Sequence, residues 1–148
     1  MKISFVGGGV MCEALVAGIL KSSLAQPEDI IVSEPAPDRS SHLESQYRIV
    51  TAPSNAYLLD KEGMIVIAVK PQVLPYVLSD FKGLIQPERT VASIVAGINA
   101  NTLKSGLSHQ SIARIMPNTP AQIGSGMTVW TATDSVSKVD RATISLSL

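Results

Sequence analysis

Residues 2–12, Lys-Ile-Ser-Phe-Val-Gly-Gly-Gly-Val-Met-Cys, join a short apolar segment to three glycines and then to an amphipathic pattern. The apolar segment predicts a buried β-strand over residues 2–6, and the later pattern predicts a helix over residues 11–21. Gly7 permits a tight turn between them, and Gly9 lets a ligand approach the backbone closely. Cys12 occupies the third small-residue position, where the helix packs on the strand. The stretch therefore predicts a strand, a glycine turn and a helix in that order.

Such a turn is typical of dinucleotide-binding proteins, because the N–H groups and the dipole at the start of the helix attract phosphates. By itself the motif is equally compatible with a plain connection between a strand and a helix. Its position favours the binding interpretation, since a second predicted strand over residues 30–32 ends at an acidic residue, Glu34. A carboxylate there accepts hydrogen bonds from the adenosine ribose of NAD.

The same region leaves the choice of cofactor open. A carboxylate at Glu34 repels a 2′-phosphate and favours NAD, whereas nearby Ser33 and Arg39 are suited to the phosphate of NADP. A third interpretation treats Glu34 as an ordinary solvated loop residue.

Alternating apolar segments and helical patterns continue along the chain and predict a Rossmann-type α/β fold: a doubly wound, mostly parallel sheet with helices on both faces. The clearest strand covers residues 64–69, six apolar residues that suit a central strand buried on both faces. Asn101 is expected to cap one later helix, and Asp134 or Ser135 the last one. Further strands are predicted over 48–51, 90–95, 111–116 and 127–132, with helices over 38–46, 71–81, 101–107 and from about 135 onward.

Composition excludes several classes of protein. The 148 residues suit one domain, and 12 basic residues balance 12 acidic ones without forming a basic run, which argues against nucleic-acid partners. The single cysteine, Cys12, excludes an internal disulfide and indicates a reducing cytoplasm. We expect Cys12 to be a small packing residue rather than a nucleophile.

Neither His42 nor His109 has a companion at metal-ligand spacing, so both are expected at the surface and no metal is expected. Glu13 and the glycines interrupt the N-terminal apolar stretch, so we expect neither a signal peptide nor a membrane span.

Three more segments lie at the ends of predicted strands: Ala68-Val69-Lys70-Pro71-Gln72, then 93–97 (Ser-Ile-Val-Ala-Gly), then 114–121 (Arg-Ile-Met-Pro-Asn-Thr-Pro-Ala). Together with residues 5–9 they resemble the signature segments of pyrroline-5-carboxylate reductase, in the same order and over essentially the whole chain. The Met-Pro-Asn-Thr-Pro segment best distinguishes this family from related dehydrogenases, which share the glycine turn but not that loop.

This resemblance implies that NADPH or NADH binds at strand ends and donates a hydride to the C=N carbon of 1-pyrroline-5-carboxylate, giving proline. The glycine turn would hold the pyrophosphate, Ser33 and Glu34 would face the adenosine ribose, and residues 95–97 with Asn118 would lie near the nicotinamide. The implied cofactor-binding residues are Phe5, Val6, Gly7, Gly8, Gly9, Val10, Met11, Ser33, Glu34, Asn55, Ala68, Val69, Lys70, Pro71, Val95, Ala96, Gly97 and Asn118.

The family places its substrate pocket and dimer interface in a helical C-terminal domain whose Ser-Gly-rich and Gly-Gly-Thr-Thr-like segments do not occur here. Residues 1–148 are accordingly expected to be the NAD(P)-binding domain, without catalytic residues of their own and inactive in isolation. The full-length protein is expected to be a homo-oligomer. The pattern Val139, Ala142, Ile144, Leu146 and Leu148 predicts an exposed apolar face on the last helix. Two alternatives stay open: another β-hydroxyacid-dehydrogenase-like oxidoreductase, and a stand-alone dinucleotide-binding module without catalysis.

Overall fold

A computed structural model describes residues 1–117 and 128–147 of the chain. These residues form a seven-stranded sheet in the order β3-β2-β1-β4-β5-β6-β7, in which every neighbouring pair is parallel except β6 with β7. The strands are β1 (Ile3–Val6), β2 (Ile30–Ser33), β3 (Val50–Ala52), β4 (Met64–Ile67), β5 (Val91–Ser93), β6 (Ile112–Pro117) and β7 (Thr128–Ala132). The helices are α1 (Val10–Lys21), α2 (Pro37–Tyr47), α3 (Leu74–Phe81), α4 (Ala100–Leu107) and α5 (Lys138–Ser147).

The alternation of side chains along the strands builds a separate hydrophobic core on each face of the sheet. Ile3 and Phe5 of β1 pack on the face covered by α1 and α5, whereas Val6 packs with Ile65 and Ile67 on the face covered by α3 and α4. Strands β1 and β4 are buried along their whole length, which explains why β4 is a continuous apolar run and why β1 has only one polar residue, Ser4. The predicted doubly wound α/β fold is confirmed.

Several element boundaries differ from the sequence prediction. Strand β4 ends at Ile67 rather than at residue 69, because its pairing with β1 and β5 ends there and residues 68–70 form no regular secondary structure. Asn99, not Asn101, caps α4, and its side-chain oxygen accepts a hydrogen bond of 2.8 Å from the backbone N–H of Thr102. The hydroxyl of Ser137 accepts one of 3.1 Å from the N–H of Asp140, so the predicted caps at Asp134 and Ser135 were also wrong.

The buried side of α1 is formed by Cys12, Leu15, Val16 and Ile19. Gly18 and Ser22 are exposed. Cys12 is fully buried against the sheet, so its predicted packing role is confirmed. Burial raises the pKa of its thiol to about 12, despite the opposing charge of Arg39. A protonated, enclosed thiol of this kind is chemically inert.

A buried polar cluster at the amino-terminal edge of the sheet contradicts the prediction that His109 is a surface residue. His109 is 4% exposed, and its Nε2 lies 2.6 Å from the carbonyl oxygen of Arg89. Arg89 is equally buried and donates hydrogen bonds of 2.7 Å to the carbonyls of Gly63 and Leu58. His42 is exposed as predicted.

Within the described ranges, no helix combines the length and apolar composition needed to cross a membrane. The exposed apolar face predicted for α5 is confirmed for Val139, Ala142 and Leu146, of which Val139 is 75% and Leu146 is 72% exposed; the prediction was wrong for Ile144, which is buried. Leu148 lies outside the described residues.

Candidate functional site: the carboxyl edge of the parallel strands

Most of the predicted site residues lie at or just after the carboxyl ends of β1, β2, β4 and β5, which lie side by side in the sheet, and Asn55 follows β3. The N–H of Gly7 donates to the carbonyl of Ser33 at 2.9 Å, and the N–H of Ala68 donates to the carbonyl of Val6 at 2.8 Å. At the next strand of the sheet, β5, the N–H of Ile94 donates to the carbonyl of Ile67 at 3.1 Å. The strand order reverses between β1 and β4, and open α/β sheets bind ligands in the crevice outside such a reversal.

The three glycines of the turn differ in how strictly the folded chain itself requires glycine at each position. Gly7 has a φ of +93°, and a Cβ there would lie 2.8 Å from the carbonyl oxygen of Ala68. At Gly8 a Cβ would lie 2.8 Å from Cδ1 of Leu43. Gly9 has a φ of −76°, and a Cβ there would meet no protein atom within 4 Å. Neither backbone conformation nor packing within the described residues therefore requires glycine at position 9.

Gly9 immediately precedes α1, and no side chain caps this helix N-terminus. The first residue of the helix, Val10, is 66% exposed. An uncapped N-terminus next to an unfilled space above a glycine has the geometry in which a phosphate group can approach backbone N–H donors.

Polar side chains line the side of the crevice that lies next to β2. The carboxylate of Glu34 accepts hydrogen bonds from the N–H of Gly8 at 3.1 Å and from the N–H of Ala36 at 3.0 Å. The hydroxyl of Ser33 donates to Oδ1 of Asn55 at 2.7 Å, and Nδ2 of Asn55 donates to Asp80 at 3.0 Å. The structure thus brings Ser33 and Glu34, the two residues predicted to face the adenosine ribose, next to Asn55, which was predicted to line the dinucleotide.

A charged network lies next to these side chains and joins α1 to α2. Arg39 donates from Nε to the carbonyl of Gly8, and from Nη2 to the carbonyl of Gly9 at 3.2 Å and to Glu13. Glu13 also accepts hydrogen bonds from His42 and Tyr47, at 2.9 and 2.8 Å. Burial acts to raise the pKa of Glu13, but these three hydrogen bonds and the charge of Arg39 outweigh it and lower the pKa to about 2.

The sequence interpretation had noted Glu13 only as a charge that interrupts an apolar stretch. Its place in the first turn of a helix that begins at a glycine turn was a usable signal. The partners were not predictable, because they come from α2, more than twenty residues later in the chain.

The other side of the crevice is formed by the segments after β4 and β5. Lys70 and Pro71 are exposed, as are Ala96 and Gly97, and Gly97 adopts a φ of +77°. Val95 is buried; its N–H donates to the hydroxyl of Ser93 at 3.2 Å, and its carbonyl accepts from Arg114 at 3.2 Å. Residues 95–97, which the resemblance places near the nicotinamide end, therefore form a turn that is held at Val95 by hydrogen bonds to Ser93 and Arg114.

Two of the predicted residues, Phe5 and Val6, have side chains buried in the two cores and can offer a ligand only their main chain. Val69 is partly exposed. Asn118 lies outside the described residues. No group of three His, Cys, Asp or Glu side chains suited to a metal ion occurs in the described part of the chain.

Residues 2–97 match the family model described as NADP oxidoreductase, coenzyme F420-dependent. The pyrroline-5-carboxylate reductase of Synechocystis sp. is 37% identical over 136 residues, which cover 92% of this chain and 51% of the relative. That of Escherichia coli is 35% identical over 144 residues, covering 97% and 54%. The chain spans about half the length of the curated relatives it matches.

Solved structures give the same result. The pyrroline-5-carboxylate reductase of Coxiella burnetii superposes with a TM-score of 0.90 at 27% identity, over 97% of this chain and 53% of that one. The pyrroline carboxylate reductase of Plasmodium falciparum, solved with NADP bound, gives a TM-score of 0.83 at 27% identity, over 97% and 52%. These matches confirm the resemblance predicted from the strand-end motifs. The chain belongs to the NADP oxidoreductase, coenzyme F420-dependent family, and nearly all of it is similar to about half of a pyrroline-5-carboxylate reductase.

Proposed function

We propose that this chain is the cofactor-binding part of a pyrroline-5-carboxylate reductase, which uses NADPH or NADH to reduce 1-pyrroline-5-carboxylate to L-proline, the last step of proline biosynthesis. Similarity to reductases of that name over more than nine-tenths of the chain supports the reaction. The NADP in the Plasmodium falciparum structure supports the cofactor.

One observation in this structure carries the proposal. Gly9 stands at the uncapped start of α1 with unfilled space where a side chain would be, and its own conformation does not require glycine. A dinucleotide pyrophosphate supplies the missing reason, because its oxygens must come within hydrogen-bond distance of the backbone at this position. The residues present therefore fit the cofactor.

The bound cofactor would supply the hydride for the C=N carbon of the imine. The protein's contribution is binding and orientation. The turn from Gly7 through Met11 would hold the pyrophosphate, and Ser33 and Glu34 would face the adenosine ribose. Asn55 and residues 68–71 would line the dinucleotide, while 95–97 and Asn118 would lie near the nicotinamide ring.

Two charged residues act in opposite directions on the choice between NADPH and NADH. The Glu34 carboxylate is fixed beside Gly8 and repels a 2′-phosphate. Arg39 is fixed against the carbonyls of Gly8 and Gly9 and attracts one. We therefore retain both cofactors in the proposal.

We further propose that residues 1–148 act as one dinucleotide-binding domain. The imine pocket and the subunit interface would then belong to the part of the relatives that this chain does not span. The balanced charge of 12 basic and 12 acidic residues supports a small-molecule substrate rather than nucleic acid. The buried, free Cys12 is compatible with a cytoplasmic location.

Calorimetric titration with NADPH and with NADH tests the binding step. We expect saturable binding of at least one, and no heat from either would refute the proposal. Proline formation should then be assayed with the 148-residue chain and with the same chain joined to the remaining half of the Escherichia coli relative. We expect turnover only in the joined protein. Substantial turnover by the short chain would refute the placement of the imine pocket.

A further inference from the structure

The carboxylate of Glu13 receives hydrogen bonds from three side chains of α2. Oε1 accepts from Nε2 of His42 and from the hydroxyl of Tyr47, while Oε2 accepts from Nη2 of Arg39. The Glu13 side chain is only 23% exposed, so these contacts hold it in one orientation. Glu13 is thus fixed between the first turn of the helix that follows the glycines and the helix that follows β2.

The contact with Glu13 helps to fix the position of Arg39, whose side chain is 28% exposed. Its Nε and Nη2 atoms form one edge of the guanidinium, and that edge is used completely by the Gly8 carbonyl, the Gly9 carbonyl and Glu13. Within the described residues Nη1 makes no hydrogen bond. The guanidinium therefore has one anchored edge, and its Nη1 donors are left for a ligand.

We propose that Glu13 is a positioning residue, which holds Arg39 against the glycine turn and thereby determines how tightly the site binds a dinucleotide that carries a 2′-phosphate. The inference rests on the proposed dinucleotide function and deepens it. The ligand class is a phosphorylated adenosine ribose, recognised by the free donors of Arg39.

The physical reason is pre-organisation. A free arginine side chain loses rotamer freedom when it clasps a phosphate, whereas Arg39 is ordered before any ligand arrives. Glu13 contacts only Nη2, so the Nη1 donors keep no hydrogen-bond partner among the described residues. Neutralising Glu13 keeps the positive charge of Arg39 but releases its position.

Calorimetric titration of the wild-type chain and of Glu13→Gln with NADPH and NADH tests this inference. We expect Glu13→Gln to weaken NADPH binding about tenfold and NADH binding by less than about twofold, as loss of a charge-assisted contact to the phosphate requires. Glu28→Gln is the matched control, since Glu28 is exposed and lies in the turn before β2, at the opposite edge of the sheet. Thermal unfolding of each variant checks that the fold is retained.

A double-mutant cycle separates positioning from a general structural role. In an Arg39→Ala background, Glu13→Gln should leave the ratio of NADPH to NADH affinity unchanged, because there is no guanidinium left to position. Should Glu13→Gln not fold, Arg39→Lys replaces it: lysine keeps the charge but cannot bridge two carbonyls and a carboxylate, so NADPH affinity should again fall selectively.

The outcomes distinguish the two proposals. Absence of binding of either dinucleotide to the wild-type chain refutes the proposed function and this inference together. Binding of NADH without NADPH, or an equal loss of both in Glu13→Gln, overturns the inference alone. A selective loss of NADPH that disappears without Arg39 establishes it.

Discussion

The carboxylate of Glu34 accepts a hydrogen bond of 3.1 Å from the backbone N–H of Gly8. This contact joins the end of β2 to the middle of the glycine turn, and a second one, from the N–H of Ala36, fixes the other carboxylate oxygen. A negative charge is therefore held at the adenosine side of the proposed site before any ligand binds.

Removing that charge should strengthen the binding of NADPH. In Glu34→Gln the amide oxygen can still accept from Gly8, while the repulsion of a 2′-phosphate disappears. We expect NADPH affinity to rise about fivefold relative to NADH affinity, corresponding to about 1 kcal/mol, as measured by calorimetric titration. Weaker NADPH binding would show that Glu34 contacts the cofactor chiefly as a hydrogen-bond acceptor.

The open space at Gly9 predicts a separation of folding from binding. Gly9→Ala introduces a methyl group that meets no protein atom within 4 Å, so the free energy of unfolding should change by less than about 1 kcal/mol. The same methyl group would occupy the approach of the pyrophosphate, and dinucleotide affinity should fall by about tenfold or more. Urea unfolding and calorimetry measure the two quantities. Unchanged affinity would contradict the pyrophosphate assignment.

The substitution Gly7→Ala should have the opposite effect, a loss of stability. Gly7→Ala would force a side chain into a φ of +93° with its Cβ 2.8 Å from the Ala68 carbonyl. We expect the free energy of unfolding to fall by about 3 kcal/mol, measured by urea denaturation. Gly18→Ala is the control, because Gly18 is exposed within α1 and an added Cβ has open space; it should stabilise the protein by about 0.5 kcal/mol. Equal effects of the two substitutions would contradict the prediction.

Cys12 should be unreactive in the folded protein. Its thiol is fully buried and burial raises its pKa to about 12, so almost no thiolate exists at pH 8. Alkylation by iodoacetamide, followed by mass spectrometry, should be undetectable in buffer and rapid in denaturant. Rapid labelling of the folded chain would show that α1 separates readily from the sheet.

The depressed pKa of Glu13 predicts acid sensitivity. The pKa falls from an ordinary value of 4.5 to about 2 on folding, so the stabilisation is fully present above pH 4.5 and is lost as the pH falls to about 2. After allowance for solvent screening, the contribution is about 1–2 kcal/mol. Urea unfolding at pH 7 and at pH 3 should show a smaller pH dependence in Glu13→Gln than in the wild type. An identical pH dependence would contradict the assignment.

The sheet was predictable because burial on both faces leaves a direct mark on the sequence. Residues 64–69 form an apolar run between Gly63 and Lys70, and the strand found there, β4, differs only at its end. The glycine turn was predictable for a related reason, since the conformation of Gly7 admits almost no other residue.

Contacts between segments that are distant in sequence produce no local pattern from which they could be predicted. A histidine such as His109 suggests a surface position, and its actual partner is a main-chain carbonyl at Arg89, which any residue would possess. Asn99 and Asn101 are both competent caps, and only the path of the chain after Gly97 decides between them. The Arg39–Glu13 pair was hidden likewise, because residues 26 apart in sequence meet only when α1 and α2 pack together.

The strand order also has a consequence for the sequence of events during synthesis. Strand β1 bears the glycine turn and is made first, yet one of its two neighbours is β4, whose Ile67 pairs with Val6. Until the chain has extended past Ile67, β1 lacks this neighbour and the crevice lacks one side. The site is consequently assembled by long-range pairing, which is intrinsically slower than the formation of local contacts.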